Sequence, residues 1–415
     1  MGIDAAGDIP FHRPFIGKEE EEAVLRVLRS GWLTTGQEAL AFEGEFADFL
    51  QSPREPLFCL AVNSATSGLH LALEASGAGP GDTVLVPSLT FTSTAEVARY
   101  LGAEVVFVDV APGSFLMDPA ALERTLDRLS RGLPAYGGLG SNGLKSGTRG
   151  GFGPKGKPKA VLPVHYGGLP CDMNAIMDIA RRYGVKVIED AAHAFPSRTE
   201  SGEFAGTLGD AGVFSFYATK TITSGEGGMV ATRDRELAAR ISIMRSHGID
   251  RAVWNRYTES KASWYYEVVE PGFKYNLPDI LAALGRVQLQ RAWQFLEERQ
   301  HIAARYNAAF AGDERFTLPP SGVGNAWHLY PLVANPPLSR NTVIEGLQNR
   351  GIGVSVHFIP LHIMPYYRKR QGLDPEDFPE SLQRFAGVIS LPIWPGMGES
   401  RIDRVIAAVK EVSQE

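Results

Sequence analysis

The sequence predicts an α/β fold, with a large, mainly parallel sheet covered by helices on both faces and a smaller C-terminal α+β domain. Between residues 58 and 232, short apolar runs alternate with amphipathic segments, which is typical of parallel strands joined by helical crossovers. Beyond residue 250 an aromatic connection and a long amphipathic segment replace this alternation. The 415 residues, 44% of them hydrophobic, can form more than one core. We therefore divide the chain into residues 1–250 and 251–415.

Two helices are predicted before the first strand, at residues 18–28 and at about 37–50. The acidic run 19–22 lies where the helix dipole favours negative charge, and Ser30-Gly31 ends the first helix. Seven short apolar runs predict the strands of the sheet, at residues 58–62, 84–86, 105–108, 160–164, 185–188, 212–216 and 228–232.

Helices are predicted between these strands. They lie at residues 69–75, at a segment ending near 101, at 172–183 and at 234–245. A further helix is capped by Asp118 and has Pro119 at its first position. Residues 131–158 are rich in glycine and poor in large apolar groups, so we expect a mobile surface insertion there.

The C-terminal part is predicted to begin with one long amphipathic helix at about residues 278–310. Strand-like runs follow at 329–333 and 353–358, and a final helix begins at Glu399. These elements give the smaller α+β domain.

Composition and charge exclude several classes of function. The net charge of −6 argues against a nucleic-acid binder, which usually has a basic face. No apolar run approaches the roughly 18 residues of a membrane span, and the N-terminus lacks the pattern of a secretory signal. Cys59 and Cys171 have no metal-ligand spacing and are expected to be reduced thiols. We therefore expect a cytoplasmic protein with no metal site, no membrane contact and no nucleic-acid partner.

One lysine stands between two predicted strands, in the stretch 210–232. Lys220 lies on a polar, glycine-rich turn, where burial of an unpaired charge would be costly. Desolvation lowers the pKa of a lysine and frees its amine for Schiff-base chemistry. A solvated loop lysine is the alternative interpretation.

Further polar groups follow the ends of predicted strands, where open α/β sheets bind their ligands. The turn 64–67 at a helix start suits a phosphate, although serine and threonine are also common caps. Asp190 follows the strand at 185–188, and either pairs with a cation in the cleft or caps the next segment. His193 lies three residues further on and is either a ligand contact or a structural histidine.

Two more residues complete the pattern. Ser215 lies five residues before Lys220, and the aromatic Phe91 follows another strand. Phosphate donors, a flat apolar neighbour, a carboxylate for a ring nitrogen and an amine are together what a pyridoxal phosphate site requires. The motifs of metallohydrolases and of serine hydrolases, HExxH and GxSxG, do not occur in the sequence.

Eight phrases of the chain carry a resemblance to one family: GWLTTG (31–36), NSATSGLHLAL (63–73), PSLTFTST (87–94), PVHYGG (163–168), EDAAHA (189–194), FSFYATKTITSGEGG (214–228), RSHG (245–248) and GFKYNLPDILAALGRVQL (272–289). Together they resemble the DegT/DnrJ/StrS family of sugar-nucleotide aminotransferases. These are fold-type I, aspartate-aminotransferase-like enzymes that use pyridoxal phosphate. The resemblance runs from about residue 10 to the C-terminus, apart from the insertion.

The resemblance implies a role for each candidate. Lys220 would form the Schiff base with pyridoxal phosphate, Asp190 would bind the pyridine nitrogen, and Phe91 would stack on the ring. The phosphate would be held by three residues, Thr66, Ser67 and Ser215.

The resemblance also implies contacts beyond these. Asn276 would reach the phosphate bound by a neighbouring subunit, which implies a homodimer. His193 would lie near the ring hydroxyl, where many relatives have glutamine, and histidine there is familiar among members similar to 4-keto-sugar aminotransferases. Members that dehydrate sugars carry histidine at the lysine position, so Lys220 argues against that activity.

The implied reaction transfers the amino group of L-glutamate to a nucleotide-linked 4-keto-6-deoxy sugar and gives a 4-amino sugar. Amination at sugar C3, or of a cyclitol ketone, stays open, as does a regulatory protein that holds the cofactor without catalysis. Three histidines, His328, His357 and His362, are undecided between substrate contact and packing at the rim of the site.

Overall fold

A computed structural model of the chain describes residues 7–50, 56–137, 153–250 and 265–414. The helices, α1 to α13 in chain order, are Lys18–Ser30, Gln37–Phe49, Ala65–Ala75, Thr92–Tyr100, Pro119–Ser130, Met173–Tyr183, Arg235–Met244, Asp279–Gln290, Ala292–Phe310, Arg340–Asn349, Pro365–Gln371, Pro379–Gly387 and Glu399–Val412. The strands, β1 to β10, are Phe58–Val62, Asp82–Pro87, Glu104–Val108, Lys157–Val161, Lys186–Asp190, Ala211–Ser215, Gly228–Thr232, Phe316–Thr317, Tyr330–Ala334 and Val388–Leu391. None of these helices is long and apolar enough to cross a membrane.

The large sheet has the strand order β1-β7-β6-β5-β4-β2-β3. Strand β7 runs antiparallel to both neighbours, whereas the other strands run parallel to one another. Alternate residues of one strand face different helical layers. Val84 and Val86 pack with α3 and α4, whereas Leu85 packs with α5 and α6. The predicted α/β fold, with a mainly parallel sheet between two layers of helices, is therefore confirmed.

The second sheet contains three antiparallel strands in the order β10-β9-β8. Its apolar face forms one cluster with helices α9, α10 and α13. Helix α8 also follows residue 250 in the chain. It packs against helices α1 and α2, not against the small sheet. The division of the chain near residue 250 stays a prediction.

Residues 7–16, called here the N-terminal arm, connect the core of the small sheet with the apolar cluster of α2 and α8 beside the large sheet. Ile9 is buried in the core of the C-terminal sheet and pairs with Ile352. His12 Nε2 donates a hydrogen bond to the Ala218 carbonyl at 3.0 Å. Phe15 then packs against the cluster of α2 and α8. The arm therefore crosses from the small sheet, past the loop that carries Lys220, to the helices that cover the large sheet.

The predicted helix 278–310 is wrong, because the segment forms two helices. The backbone at Arg291 has φ −96° and ψ 1°, which interrupts the helix between α8 and α9. Helix α8 packs on α1 and α2, whereas α9 packs on α13. The change of packing partner explains a break for which the sequence has no proline or glycine signal.

Three other predictions of structure differ from the fold. Residues 353–358 do not form a strand, and only Ser355 pairs, with Ser390, in an isolated bridge. Helix α3 begins at Ala65 rather than residue 69, because the Ser64 side chain accepts a hydrogen bond from Ser67 N and caps it. The predicted insertion 131–158 is ordered at its edges, where Tyr136 Oη accepts Phe107 N at 2.6 Å. Its middle, residues 138–152, lies outside the described residues.

Candidate active site

The predicted site residues meet at the carboxyl ends of the parallel strands. Asp190 and Ser215 are the last residues of β5 and β6, which are neighbours in the sheet. Lys220 lies in the loop that follows β6. Phe91 is the residue directly before α4, shortly after the end of β2. Ligands bind at this edge in open α/β sheets.

A glycine brings the start of α3 against this edge. Gly228 pairs with Val62 on one side and with Ser215 on the other. A Cβ atom at Gly228 would lie 2.8 Å from the backbone nitrogen of Ala65. Only glycine therefore permits this approach of helix and strand. The start of α3, which includes Thr66, thus lies close to Gly228, the partner of Ser215, and the N-terminus of a helix favours an anion. A phosphate contact of Thr66 and Ser215 stays a prediction.

The Ser67 hydroxyl already has hydrogen-bond partners within the cap of α3. It lies 2.7 Å from Asn63 Oδ1 and 2.7 Å from the Ser64 carbonyl, and it closes the cap of α3. The side chain is buried. The hydroxyl would have to leave these partners to reach a phosphate, so a phosphate contact of Ser67 stays a prediction.

Asp190 is buried and held on both oxygens. Thr94 Oγ1 donates to Oδ2 at 2.7 Å, and Ala192 N donates to Oδ1 at 3.2 Å. Burial raises the pKa of Asp190, while the Thr94 hydrogen bond and the nearby charge of Lys220 act in the opposite direction. A carboxylate in this environment fits a protonated ring nitrogen.

The residue before Asp190 anchors the end of β5. Glu189 accepts hydrogen bonds from four donors, namely His165 Nε2 at 2.9 Å and the backbone nitrogens of Gly206, Leu208 and Gly209 at 2.8, 2.7 and 2.7 Å. It is fully buried. Four donors satisfy the buried charge and fix the backbone that carries Asp190.

Lys220 has the electrostatic character of a reactive amine. Burial lowers its pKa to about 8, the charge of Arg299 adds to this, and Asp190 opposes it. At pH 7 about one amine in ten is then uncharged, against roughly one in three thousand for an ordinary lysine. By its accessible surface Lys220 is half-buried, so its role as the reactive amine stays a prediction that the lowered pKa favours.

We expect the reactivity of Lys220 in the cofactor-free protein to rise with pH through a midpoint near 8, because only the neutral amine reacts. Pulsed acetylation at a series of pH values, followed by mass spectrometry of the peptides, measures this midpoint. Lys186 is the control, since its hydrogen bond to Asp210 raises its pKa. A Lys220 midpoint above pH 10 would contradict the expectation.

Phe91 presents an aromatic face to the cleft. Its side chain is 56% exposed, although it lies at the edge of a buried sheet. The centroid of its ring lies 5.8 Å from that of Phe358. An exposed ring in this place fits the predicted stacking on a flat cofactor.

His193 has a fixed tautomer. Gly167 N donates to its Nδ1 at 3.2 Å, so the proton of the neutral ring is on Nε2. Burial lowers its pKa well below the usual value, and the charges of Lys220 and His357 act in the same direction. The ring centroid of His328 lies 4.3 Å away. His193 therefore offers a hydrogen-bond donor next to a second histidine.

The three undecided histidines divide into two groups. His328 and His357 belong to the cluster around His193 and Lys220. The ring centroid of His328 lies 4.3 Å from that of His193. Burial lowers the pKa of both His328 and His357, and the charge of Lys220 acts on each in the same direction. His362 lies elsewhere. Its Nδ1 accepts from Ser88 at 2.5 Å and its Nε2 donates to the Pro375 carbonyl at 2.9 Å, so it is a packed, buried connector.

Sequence reasoning missed two groups near the site. Thr94, which holds Asp190, looks like any threonine in the first turn of a helix. Arg299 is fully buried, and its Nη1 lies 3.2, 3.3 and 2.9 Å from the carbonyls of Trp327, His328 and Ile393. The one sequence feature that could have indicated a buried Arg299 is its position on the apolar side of α9.

Asn276 lies beside the end of β1. It pairs with Val62 in an isolated bridge, and its Nδ2 donates to Thr35 Oγ1 at 2.5 Å. Thr35 in turn donates to the Leu277 carbonyl at 2.6 Å. The phrases GWLTTG and FKYNLPD are thus in contact. The reach of Asn276 into a neighbouring subunit stays a prediction.

Comparisons with known proteins agree with this geometry. A model of the DegT/DnrJ/EryC1/StrS aminotransferase family matches residues 14–410. The spore coat polysaccharide biosynthesis protein SpsC of Bacillus subtilis is 41% identical over 410 residues, which are 97% of each chain. The structure of Spr1654 from Streptococcus pneumoniae in its PMP form is 29% identical, with a TM-score of 0.83 over 98% of this chain and 99% of that one. PseC of Helicobacter pylori, an aminotransferase involved in the biosynthesis of pseudoaminic acid, is 25% identical, with a TM-score of 0.83 over the same shares.

These matches confirm the predicted fold type, enzyme class and cofactor. Spr1654 has been solved with the cofactor in its PLP and PMP forms. The residues of this chain fit that group, because a helix N-terminus, an exposed aromatic ring, a buried carboxylate and a lysine of lowered pKa share one edge of the sheet. The protein is a pyridoxal phosphate-dependent enzyme, and the chain belongs to the DegT/DnrJ/EryC1/StrS aminotransferase family.

Proposed function

We propose that the enzyme transfers the amino group of L-glutamate to a nucleotide-linked 4-keto-6-deoxy sugar and produces a 4-amino sugar. The observation that carries the proposal is the convergence of Lys220, Asp190 and the start of α3 on one edge of the sheet. The roles of the similar proteins SpsC in spore coat polysaccharide biosynthesis and PseC in pseudoaminic acid biosynthesis favour a sugar acceptor.

Each site residue has a proposed role. When bound, pyridoxal phosphate supplies an electron sink for the carbanion that forms at the donor's α-carbon. Lys220 would hold the cofactor covalently through its amine, and the same amine would act as the general base for the α-proton of glutamate. Asp190 holds the proton of the ring nitrogen and Phe91 covers the ring. The phosphate contacts are assigned to Thr66, Ser67 and Ser215.

The choice of C4 over C3 rests on the resemblance, since histidine at the place of His193 is familiar among family members similar to 4-keto-sugar aminotransferases. The Nε2–H of His193 is a donor of fixed direction, since Nδ1 is occupied by Gly167 N. A glutamine amide at this position could present either a donor or an acceptor. We assign the His193 donor to the ring hydroxyl of the cofactor, next to the reacting carbons.

An absorbance spectrum of the purified enzyme, before and after addition of L-glutamate alone, tests the donor. We expect the band of the lysine-bound cofactor to be replaced by that of pyridoxamine phosphate. An absorbance band that does not change on addition of glutamate would contradict the proposed donor. A panel of nucleotide-linked 4-keto and 3-keto sugars and cyclitol ketones, with NMR of the products, then tests the acceptor. Amination only at C3 or of a cyclitol would overturn the C4 assignment.

We also propose a cytoplasmic homodimer in which Asn276 contacts the phosphate held by the neighbouring subunit. Exposed apolar side chains in the same segment support a protein contact there, with Val268 65% exposed and Val269 47% exposed. The free, buried thiols of Cys59 and Cys171 suit a reducing compartment. Sedimentation as a monomer would contradict the dimer, and recovery in a membrane or extracellular fraction would contradict the location.

A further inference from the structure

Two buried threonines form a chain of hydrogen bonds that ends on Asp190. Thr90 Oγ1 lies 2.8 Å from Thr94 Oγ1, which lies 2.7 Å from Asp190 Oδ2. All three side chains are buried. Both threonines belong to the turn that starts α4, and Thr94 N bonds to the Phe91 carbonyl at 3.3 Å. The same turn therefore carries the predicted stacking ring and the support of the carboxylate.

The direction of this chain follows from its end. An ionised carboxylate only accepts hydrogen bonds, so Thr94 must donate its hydroxyl proton to Asp190. Each threonine hydroxyl has one proton, so Thr90 must donate to Thr94. Both hydroxyl dipoles then point towards the carboxylate and stabilise its negative charge.

The turn itself is clamped to the C-terminal part of the chain. Leu361 N donates to the Ser88 carbonyl at 2.8 Å, and Ser88 Oγ donates to His362 Nδ1 at 2.5 Å. Ser88 lies two residues before Thr90, so the start of the turn has little freedom. The chain of hydroxyls is thus fixed at both ends.

We propose that Thr94, supported by Thr90, is a positioning residue that fixes the carboxylate of Asp190 and keeps it ionised against the protonated ring nitrogen of the cofactor. The inference rests on the proposed role of Asp190. Loss of the Thr94 hydroxyl leaves a buried carboxylate with one donor fewer. The proton shared between Asp190 and the ring nitrogen would then stay on Asp190, and the ring nitrogen would be neutral. A neutral ring is a weaker electron sink.

The test uses enzyme loaded with ¹⁵N-labelled pyridoxal phosphate, because the nitrogen chemical shift reports protonation of the ring directly. We expect a pyridinium signal in the wild type, a shift towards neutral pyridine in Thr94→Val, and return of the pyridinium signal in Thr94→Ser. Thr90→Val is expected to shift the signal in the same direction by less. With glutamate, kcat should fall on the order of 10-fold in Thr94→Val, with KM almost unchanged.

Thr83→Val is the matched control. Thr83 is a buried threonine of strand β2, and its hydroxyl has no hydrogen-bond partner in the described ranges. The same substitution there should leave the nitrogen signal and kcat unchanged. An unshifted signal in Thr94→Val, or an equal shift in Thr83→Val, would overturn the inference. Borohydride that traps no cofactor on Lys220 of the wild type would instead overturn the proposed function.

Discussion

Lys220→Ala is expected to abolish transamination, with a loss of roughly 10⁴-fold or more in kcat, while the fold is retained. In the proposed function the substitution removes both the amine that holds the cofactor and the base that moves the α-proton, and general acid–base catalysis alone contributes up to about 10⁴-fold. The lysine lies on a loop and its charge is costly to bury, so alanine costs the fold little. Steady-state kinetics and circular dichroism measure the two effects.

Borohydride reduction makes this result specific. The wild type should gain the mass of the cofactor on the peptide that contains Lys220, and Lys220→Ala should gain none. Lys410→Ala, at an exposed position of α13, is the control and should keep both the trapped mass and full turnover. Residual turnover near the wild-type rate in Lys220→Ala would contradict the assigned chemistry.

Asp190→Asn is expected to lower the rate of the half-reaction with glutamate on the order of 100-fold, since a charge-assisted hydrogen bond to the ring nitrogen is lost. A neutral amide cannot compensate the positive charge of a protonated ring. Its NH₂ group would also face Ala192 N or the Thr94 hydroxyl, which are the present hydrogen-bond partners of the carboxylate. Proton removal should become rate-limiting. Single-turnover kinetics with α-deuterated glutamate should therefore show a larger isotope effect than in the wild type.

Asp178→Asn is the matched control for this prediction. Asp178 lies on α6 with its side chain 72% exposed, in a surface pair with Arg181. Its substitution should leave both the rate and the isotope effect unchanged, because such pairs contribute little. An unaltered rate in Asp190→Asn would mean that Asp190 only caps the segment that follows β5.

The sheet was predictable from the sequence because its strands are buried on both faces. Strands β1 and β7 have the predicted bounds, and the others differ by a few residues at their ends. The break at Arg291 was not predictable, since it depends on different packing partners for α8 and α9 rather than on local sequence. Residues 353–358 have the composition of a strand, but only one of them pairs.

The candidate site divides in the same way. Asp190 and Ser215 end neighbouring parallel strands and Lys220 follows the second of them, so their convergence is a consequence of the topology. Thr94 and Arg299 contact residues that are far away in the sequence, namely Asp190 and Ile393. Spacing along the sequence does not predict such contacts. The commitment of the Ser67 hydroxyl to the cap of α3 likewise depends on rotamers.

The N-terminal arm has a consequence for the order in which the protein is made. Ile9 belongs to the core of the small sheet and pairs with Ile352, which the ribosome adds 343 residues later (352 − 9). At about 5–20 residues per second, the first residues wait roughly 17–70 s for their partner. The large sheet can close earlier, once β7 has been added beside β1. The core of the small sheet, of which Ile9 is a part, therefore completes only near the end of translation.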